Sequence, residues 1–205
     1  MRLGHYYHVY AGGDWREIVA DHVDAVVKSG LMDELDFFRV GIVGPESERA
    51  EVKLALPFAE VVAEANEGWE QHTLDALHRY ALAETIPLGV LYAHTKGASS
   101  GGLLAHAWRV SMTYDVVTRW KQAVTRLAVK DAVGAFWMDS DRPEHVGHKY
   151  FFGGNFWWAT VNYLKRLSPI SWEHRFKAEG WIGLADPDVA NLREGVPIFG
   201  HFYTP

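Results

Sequence analysis

Leu88-Gly89-Val90-Leu91-Tyr92-Ala93-His94-Thr95-Lys96-Gly97 is the stretch from which the fold is read. An uninterrupted apolar run ends abruptly in an imidazole, a hydroxyl, a cation and a glycine. The run predicts a strand over Pro87–Ala93 that is buried on both faces, as strands of parallel sheets are. Working outward, Tyr6–Ala11 reads as the first strand, broken by Gly12-Gly13-Asp14. Asp14 with Glu17 forms a capping-box pattern for a helix that ends near Gly30. Ile18, Val19, His22, Val23, Val26 and Val27 occupy one face of it. Phe37–Val43 and Ala59–Ala65 are two further strands, and Trp69–Ala83 carries helical spacing. Beyond Gly97, Ala105–Ala128 is helical with one break and Ala132–Met138 is a strand. Tyr150–Phe156 is a strand feeding a helix over Trp157–Leu167. A short helix is expected at Ala178–Leu184 and an edge strand at Val196–Phe202. This alternation predicts an α/β fold: one domain over 1–205, with a mostly parallel central sheet flanked by helices.

Composition agrees and excludes several classes. In 205 residues, hydrophobic types make up 48% and charged types 22%, which is globular. The longest apolar runs, such as Phe151–Ala159, fall far short of the roughly 18 residues of a membrane span. No long apolar stretch follows Arg2, so no signal peptide is expected and a cytoplasmic location is. Cysteine is absent, which removes disulfides, thiol nucleophiles and thiolate zinc sites. The histidines form no His-x-x-x-His or His-Glu-x-x-His pair, against a zinc hydrolase. With 20 Lys+Arg against 26 Asp+Glu, the net charge is -6, which argues against affinity for nucleic acid driven by phosphate charge alone. Trp108, Trp120, Trp137, Trp157, Trp158, Trp172 and Trp181 crowd the second half. Two readings stand for them: stacking on sugars or bases, or core and subunit contact.

Open α/β sheets bind ligands at the carboxyl ends of their strands. Glycine and polar residues follow nearly every predicted strand. Lys96 and His94 suit a diphosphate, and Gly97 allows close backbone approach. Arg109 is either a planar fork for phosphate or carboxylate, or a surface arginine beside the core Trp108. Asp139 and Asp141 form an Asp-x-Asp pair able to hold Mg²⁺ or Mn²⁺, or only a turn. Gly153-Gly154-Asn155 combines close backbone approach with an amide that reads hydroxyls. On the expected helix, Trp157 and Trp158 point different ways, one into the core and one toward a ligand. Glu179 is either a general base or a helix-start carboxylate. Asn66-Glu67-Gly68 with Glu70 opens a helix and offers backbone donors.

The order of these segments resembles nucleotide-sugar glycosyltransferases of the GT-A type. More narrowly it looks like small bacterial and viral members whose fourth strand ends in His-Thr-Lys rather than Asp-x-Asp, of the kind found in rhamnan and polysaccharide synthesis. The resemblance spans Tyr6 to Gly183 and is carried most specifically by His94–Gly97 and Gly153–Trp158. It implies that Val9, Tyr10, Ala11 and Gly12, helped by Asn66, Gly68 and Glu70, hold the base and ribose. His94 and Lys96 stand where relatives place Asp-x-Asp and its metal, so donor binding without a cofactor is the preferred expectation, with Mn²⁺ or Mg²⁺ as the alternative. Gly154, Asn155 and Trp158 would line the sugar and acceptor, and Glu179 would be the base. The implied activity is transfer of a sugar, from a UDP-sugar by preference, to a hydroxyl on a glycan, a protein or a hydroxylated nucleobase in DNA. A non-catalytic nucleotide-binding module and an aromatic interaction surface, including a subunit interface, are the competing accounts.

Overall fold

The computed structural model describes residues 1–99, 101–140 and 143–193. Strands β1 (Arg2–Tyr10), β2 (Phe37–Val43), β3 (Glu60–Ala65), β4 (Leu88–His94), β5 (Ala132–Gly134), β8 (Trp157–Thr160) and β9 (Val189–Asn191) form one sheet in the order β3-β2-β1-β4-β8-β5-β9. Every pairing is parallel except the two made by β8. Strands β6 (Trp137–Asp139) and β7 (Tyr150–Phe152) make a separate antiparallel pair. The chain is therefore α/β, with a seven-stranded, mostly parallel sheet between helices.

Alternation along the central strands builds the two layers. Tyr7, Val9, Leu91, Ala93 and Trp158 enter one cluster. There they meet α1 (Trp15–Lys28), α4 (Leu103–Thr113) and α5 (Trp120–Leu127), α4 and α5 being joined by a π-turn at Tyr114–Thr118. Tyr6, Val90, Tyr92, Trp157 and Ala159 enter the other, against α3 (Gln71–Ala83), α7 (Val161–Leu164) and α8 (Lys177–Gly180).

Several expectations need correction. The first strand begins at Arg2 rather than Tyr6. Helix α2 (Glu46–Ala55) was not expected, because only its Val52 is buried and so no apolar stripe announces it. The capping box does not form, since Asp14 makes no side-chain cap bond. Ala132–Met138 is two strands in two sheets, divided where Phe136 takes φ 60°. The expected strand over Tyr150–Phe156 stops at Phe152. Trp157–Thr160 is strand β8, not helix, and only Val161–Leu164 (α7) is helical. Aromatic residues favour the pleated slot between β4 and β5, where both faces are covered. Trp157 and Trp158 accordingly alternate across the sheet and are both fully buried. The edge strand is Val189–Asn191 (β9); the expected one at Val196–Phe202 lies outside the described residues. A short helix, α6 (Pro143–Val146), precedes β7.

The core contains histidines. His5 Nδ1 faces the Leu91 carbonyl at 3.1 Å, and its Nε2 lies 2.8 Å from His22 Nε2. The network assigns the His5 proton to Nδ1, so His22 donates to His5. Tyr7 stacks on His22 with ring centroids 4.2 Å apart. Burial pushes His5 down to about 3. Burial and the neighbouring His5 hold His22 well below the ordinary range. Depressed in the folded state, these rings contribute full stability above their unfolded value of about 6.5 and lose it as pH falls toward about 3. The unfolding free energy read from urea denaturation should therefore drop between about pH 7 and about pH 5, by as much as roughly 1.4 kcal/mol per pH unit for each such ring, and the urea midpoint should fall with it. A midpoint that stays level over that range would contradict the buried neutral pair.

Candidate functional site

From β1 the chain steps outward to β2 and β3, then returns to place β4 on the other side of β1. The sheet thus has its topological switch point between β1 and β4, at the carboxyl ends of both strands, which is where open sheets of this kind bind ligands. Parallel register sets His8 beside His94 there. Thr95 ties the two strand ends together: its N–H donates to His8 O (3.0 Å), and its hydroxyl accepts from Tyr10 N (2.9 Å). The turn after β1 packs directly on the loop after β4. A Cβ on Gly13, at φ 57°, would sit 1.9 Å from Ala98 O, so that position requires glycine.

On the α3 side of the switch point a largely buried polar network forms. Glu70 Oε2 accepts from the Tyr92 hydroxyl (2.9 Å) and from Asn155 Nδ2 (2.7 Å), while Glu70 Oε1 lies 3.4 Å from His94 Nδ1. Asn155, fully buried at φ 58°, also donates to Ala178 O (3.3 Å) and accepts from Trp157 Nε1 (2.7 Å). His94 Nε2 meets Gly154 O at 3.0 Å, and His8 Nδ1 meets Thr73 Oγ1 at 2.7 Å. Glu179 is buried in α8, next to the Ala178 carbonyl that holds Asn155. Burial, reinforced by the Lys96 charge, pushes His94 down to about 3, against the opposing Gly154 carbonyl and Glu179 charge. Burial likewise pushes His8 down to about 3, although Glu70 opposes it. The Tyr92 phenol is driven well above its ordinary range by burial and the Glu70 carboxylate. Both histidines are therefore neutral near pH 7, and the Glu70 carboxylate is braced from two sides.

The α4 side carries the cations. The Lys96 ammonium stands 4.2 Å over the Trp108 ring. Trp108 and Met112 pack so closely on Gly154 that a Cβ there would come within 2.5 Å of Met112 Sδ. Lys96, His94 and the Gly154-Asn155 turn thus share one mouth. Arg109 is buried and donates to Lys96 O (3.1 Å), with His106 Nδ1 at 3.1 Å and Asp21 at 3.5 Å. It closes a cleft of about 70 Å³ lined by Asp14, Glu17, Gly97, Gly101 and Gly102.

The remaining expected residues are placed differently. Val9 and Ala11 are fully buried, so their side chains belong to the core, whereas Tyr10 is 40% exposed at the strand end. Gly12 follows it at the rim. Asn66 is exposed and bonds Arg49, and Gly68, at φ 124°, packs on the His72 ring. Trp158 lies on the far face of the sheet and donates to Val116 O (2.8 Å). It is a core residue rather than a sugar wall. Asp139 is exposed on β6, 3.9 Å from Lys149 Nζ, and Asp141 lies outside the described residues. Among the described residues no group of three or more side chains is arranged to hold a metal. His8 and Tyr92 are members of the network that sequence reasoning missed, and His8 is bonded there to Thr73. The available signal was the pairing of two parallel strands, which sets His8 beside His94.

Residues 7–179 match the family model described as Domain of unknown function (DUF8361), and the chain belongs to that family. No curated protein matches the sequence. Among solved structures, Rv0371c from Mycobacterium tuberculosis H37Rv, in complex with manganese, is 9% identical. That match covers 82% of this chain and 77% of Rv0371c, with a TM-score of 0.41. A 4-diphosphocytidyl-2C-methyl-D-erythritol synthase is 10% identical over 90% of this chain and 86% of its own, with a TM-score of 0.42. Likeness this slight carries no argument about function.

Proposed function

We propose that this member of the DUF8361 family is a glycosyltransferase, one domain over residues 1–205, that moves a sugar from a nucleoside-diphosphate sugar to an acceptor hydroxyl. The observation that supports it most is the convergence at the β1/β4 switch point. There Glu70, His94 and Asn155 are bonded into one network, and Lys96 stands at its mouth. The acceptor oxygen attacks the anomeric carbon while the Glu179 carboxylate takes its proton. The bond from the anomeric carbon to the diphosphate oxygen breaks, and its electron pair leaves with the nucleoside diphosphate. Lys96 meets the charge that grows there, in a site already organised before the reaction. Asn155, fully buried and committed to Glu70, Trp157 and Ala178, holds Glu70 in place, and Glu70 is set to orient sugar hydroxyls.

The donor set at the end of β4 does not suit a hard divalent cation. An ammonium is not a ligand, and the His94 ring is held between a carbonyl and a carboxylate; such cations take clustered oxygen ligands. No step is therefore routed through a metal.

Incubation with UDP-sugars and soluble glycan acceptors should release free UDP. Glu179→Gln should slow that release about 10²–10⁴-fold while leaving UDP affinity in place. UDP binding without release, across sugars and acceptors, would instead identify a non-catalytic nucleotide-binding module.

A further inference from the structure

The outward face of α4 and of the helical turns after it is apolar at one end and cationic at the other. Leu103, Ala107, Val110 and Tyr114 recur at the spacing of a single helix face. Leu103 is 88% exposed, Leu104 58%, and Val110 and Tyr114 50% each. The opposite face, with Trp108 and Met112, is already packed on the sheet. Arg119 lies 5.7 Å over the Tyr114 ring, which joins the apolar stretch to the cations. Lys121 and Arg126 follow, both exposed. From Lys96 to Lys130 the sole acid is Asp115, and it is buried against Arg193. This occurs in a chain whose net charge is -6. The acids of neighbouring α1 are Glu17, Asp21 and Asp24. Asp21 faces Arg109 and Asp24 is paired with Lys28.

We propose that this face docks on an anionic bilayer surface, with Leu103 and Leu104 entering the headgroup boundary and Arg119, Lys121 and Arg126 resting on lipid phosphates. A bilayer accepts bare leucines and cations together without requiring a shaped partner. A nucleic acid would use the cations and leave the leucines in water. Docking does not depend on the donor reading. The consequence that the acceptor is presented at a membrane does rest on it: the α4 N-terminus borders the Arg109 cleft, so docking would set that cleft close to lipid-linked hydroxyls.

The test is co-sedimentation with vesicles of phosphatidylcholine alone and of phosphatidylcholine with phosphatidylglycerol, at low and high salt. The protein should pellet with the anionic vesicles and be released by salt. The Arg119→Gln/Lys121→Gln variant should bind roughly 25-fold more weakly. The Leu103→Ser/Leu104→Ser variant should lose roughly ten-fold. Failure to pellet with anionic vesicles, binding unchanged in both variants, or preference for a DNA duplex in competition would overturn the proposal. Melting temperature with and without UDP, measured on the same samples, separates the two readings, since the donor reading predicts a rise on adding UDP. If it is missing while vesicle binding is intact, only the donor reading fails; if it is present without vesicle binding, only the docking surface fails.

Discussion

Lys96→Ala is expected to lower donor turnover about 10²–10³-fold, the usual effect of removing one group aimed at developing charge. Arg109 is buried and committed to the Lys96 carbonyl and His106. Lys96 is held only partly buried over Trp108 at 4.2 Å, a contact of about 0.5–2 kcal/mol. A diphosphate offers more than that, so the ammonium can swing from the ring to the ligand. Loss of so small a contact leaves the fold intact, and the defect should appear in kinetics with little change in melting temperature. Lys96→Arg should recover part of the rate, since charge survives but the fork fits the space above Trp108 differently. Turnover by Lys96→Ala within about three-fold of the parent would remove this side chain from the transition state.

Asn155→Ala is expected to act on stability as well as activity, lowering the unfolding free energy by about 3–5 kcal/mol. The amide is fully buried and serves Glu70, Trp157 and Ala178 at once. Its removal leaves a buried indole N–H and the buried Ala178 carbonyl without their partner, at about 1–3 kcal/mol for each orphaned group, and takes one donor from the part-buried Glu70 carboxylate. Alanine at φ 58° adds about 1–2 kcal/mol of backbone strain. Asn155→Gly removes that strain but not the orphaned groups, so it should restore only part of the loss. Asn155→Asp sets a second carboxylate against Glu70 and should be no better than alanine. Chemical denaturation checks all three. A loss below about 1 kcal/mol for alanine would mean the network relaxes without its centre.

Much of the architecture was readable where the chain repeats a simple physical pattern. The apolar runs at Phe37–Val43 and Leu88–Ala93 are strands because both faces must be covered, and the glycines that follow mark the turns. Reading failed where tertiary context overrides local pattern. Trp157–Thr160 looks helical beside Val161–Leu164 but fills a slot between β4 and β5 that no local signal reveals. Glu46–Ala55 buries one side chain and so shows no amphipathic stripe. The site divides similarly. His94, Lys96, Glu70 and Asn155 were visible as polar residues at strand and helix ends, and the fold brings them to the β1/β4 switch point. His8 and Tyr92 sit inside apolar strands, where composition reads them as core; only strand register and the α3 packing show what they touch. Trp158 departs from expectation because both faces of the sheet are covered at β8, so each of two diverging indoles enters a core layer.

The most direct measurement is a calorimetric titration of UDP into the parent protein and Lys96→Ala without added metal. The β1/β4 switch point predicts one saturable site in the parent, with affinity reduced roughly ten-fold or more in the variant. No heat of binding in the parent, or the same affinity in both proteins, would contradict it.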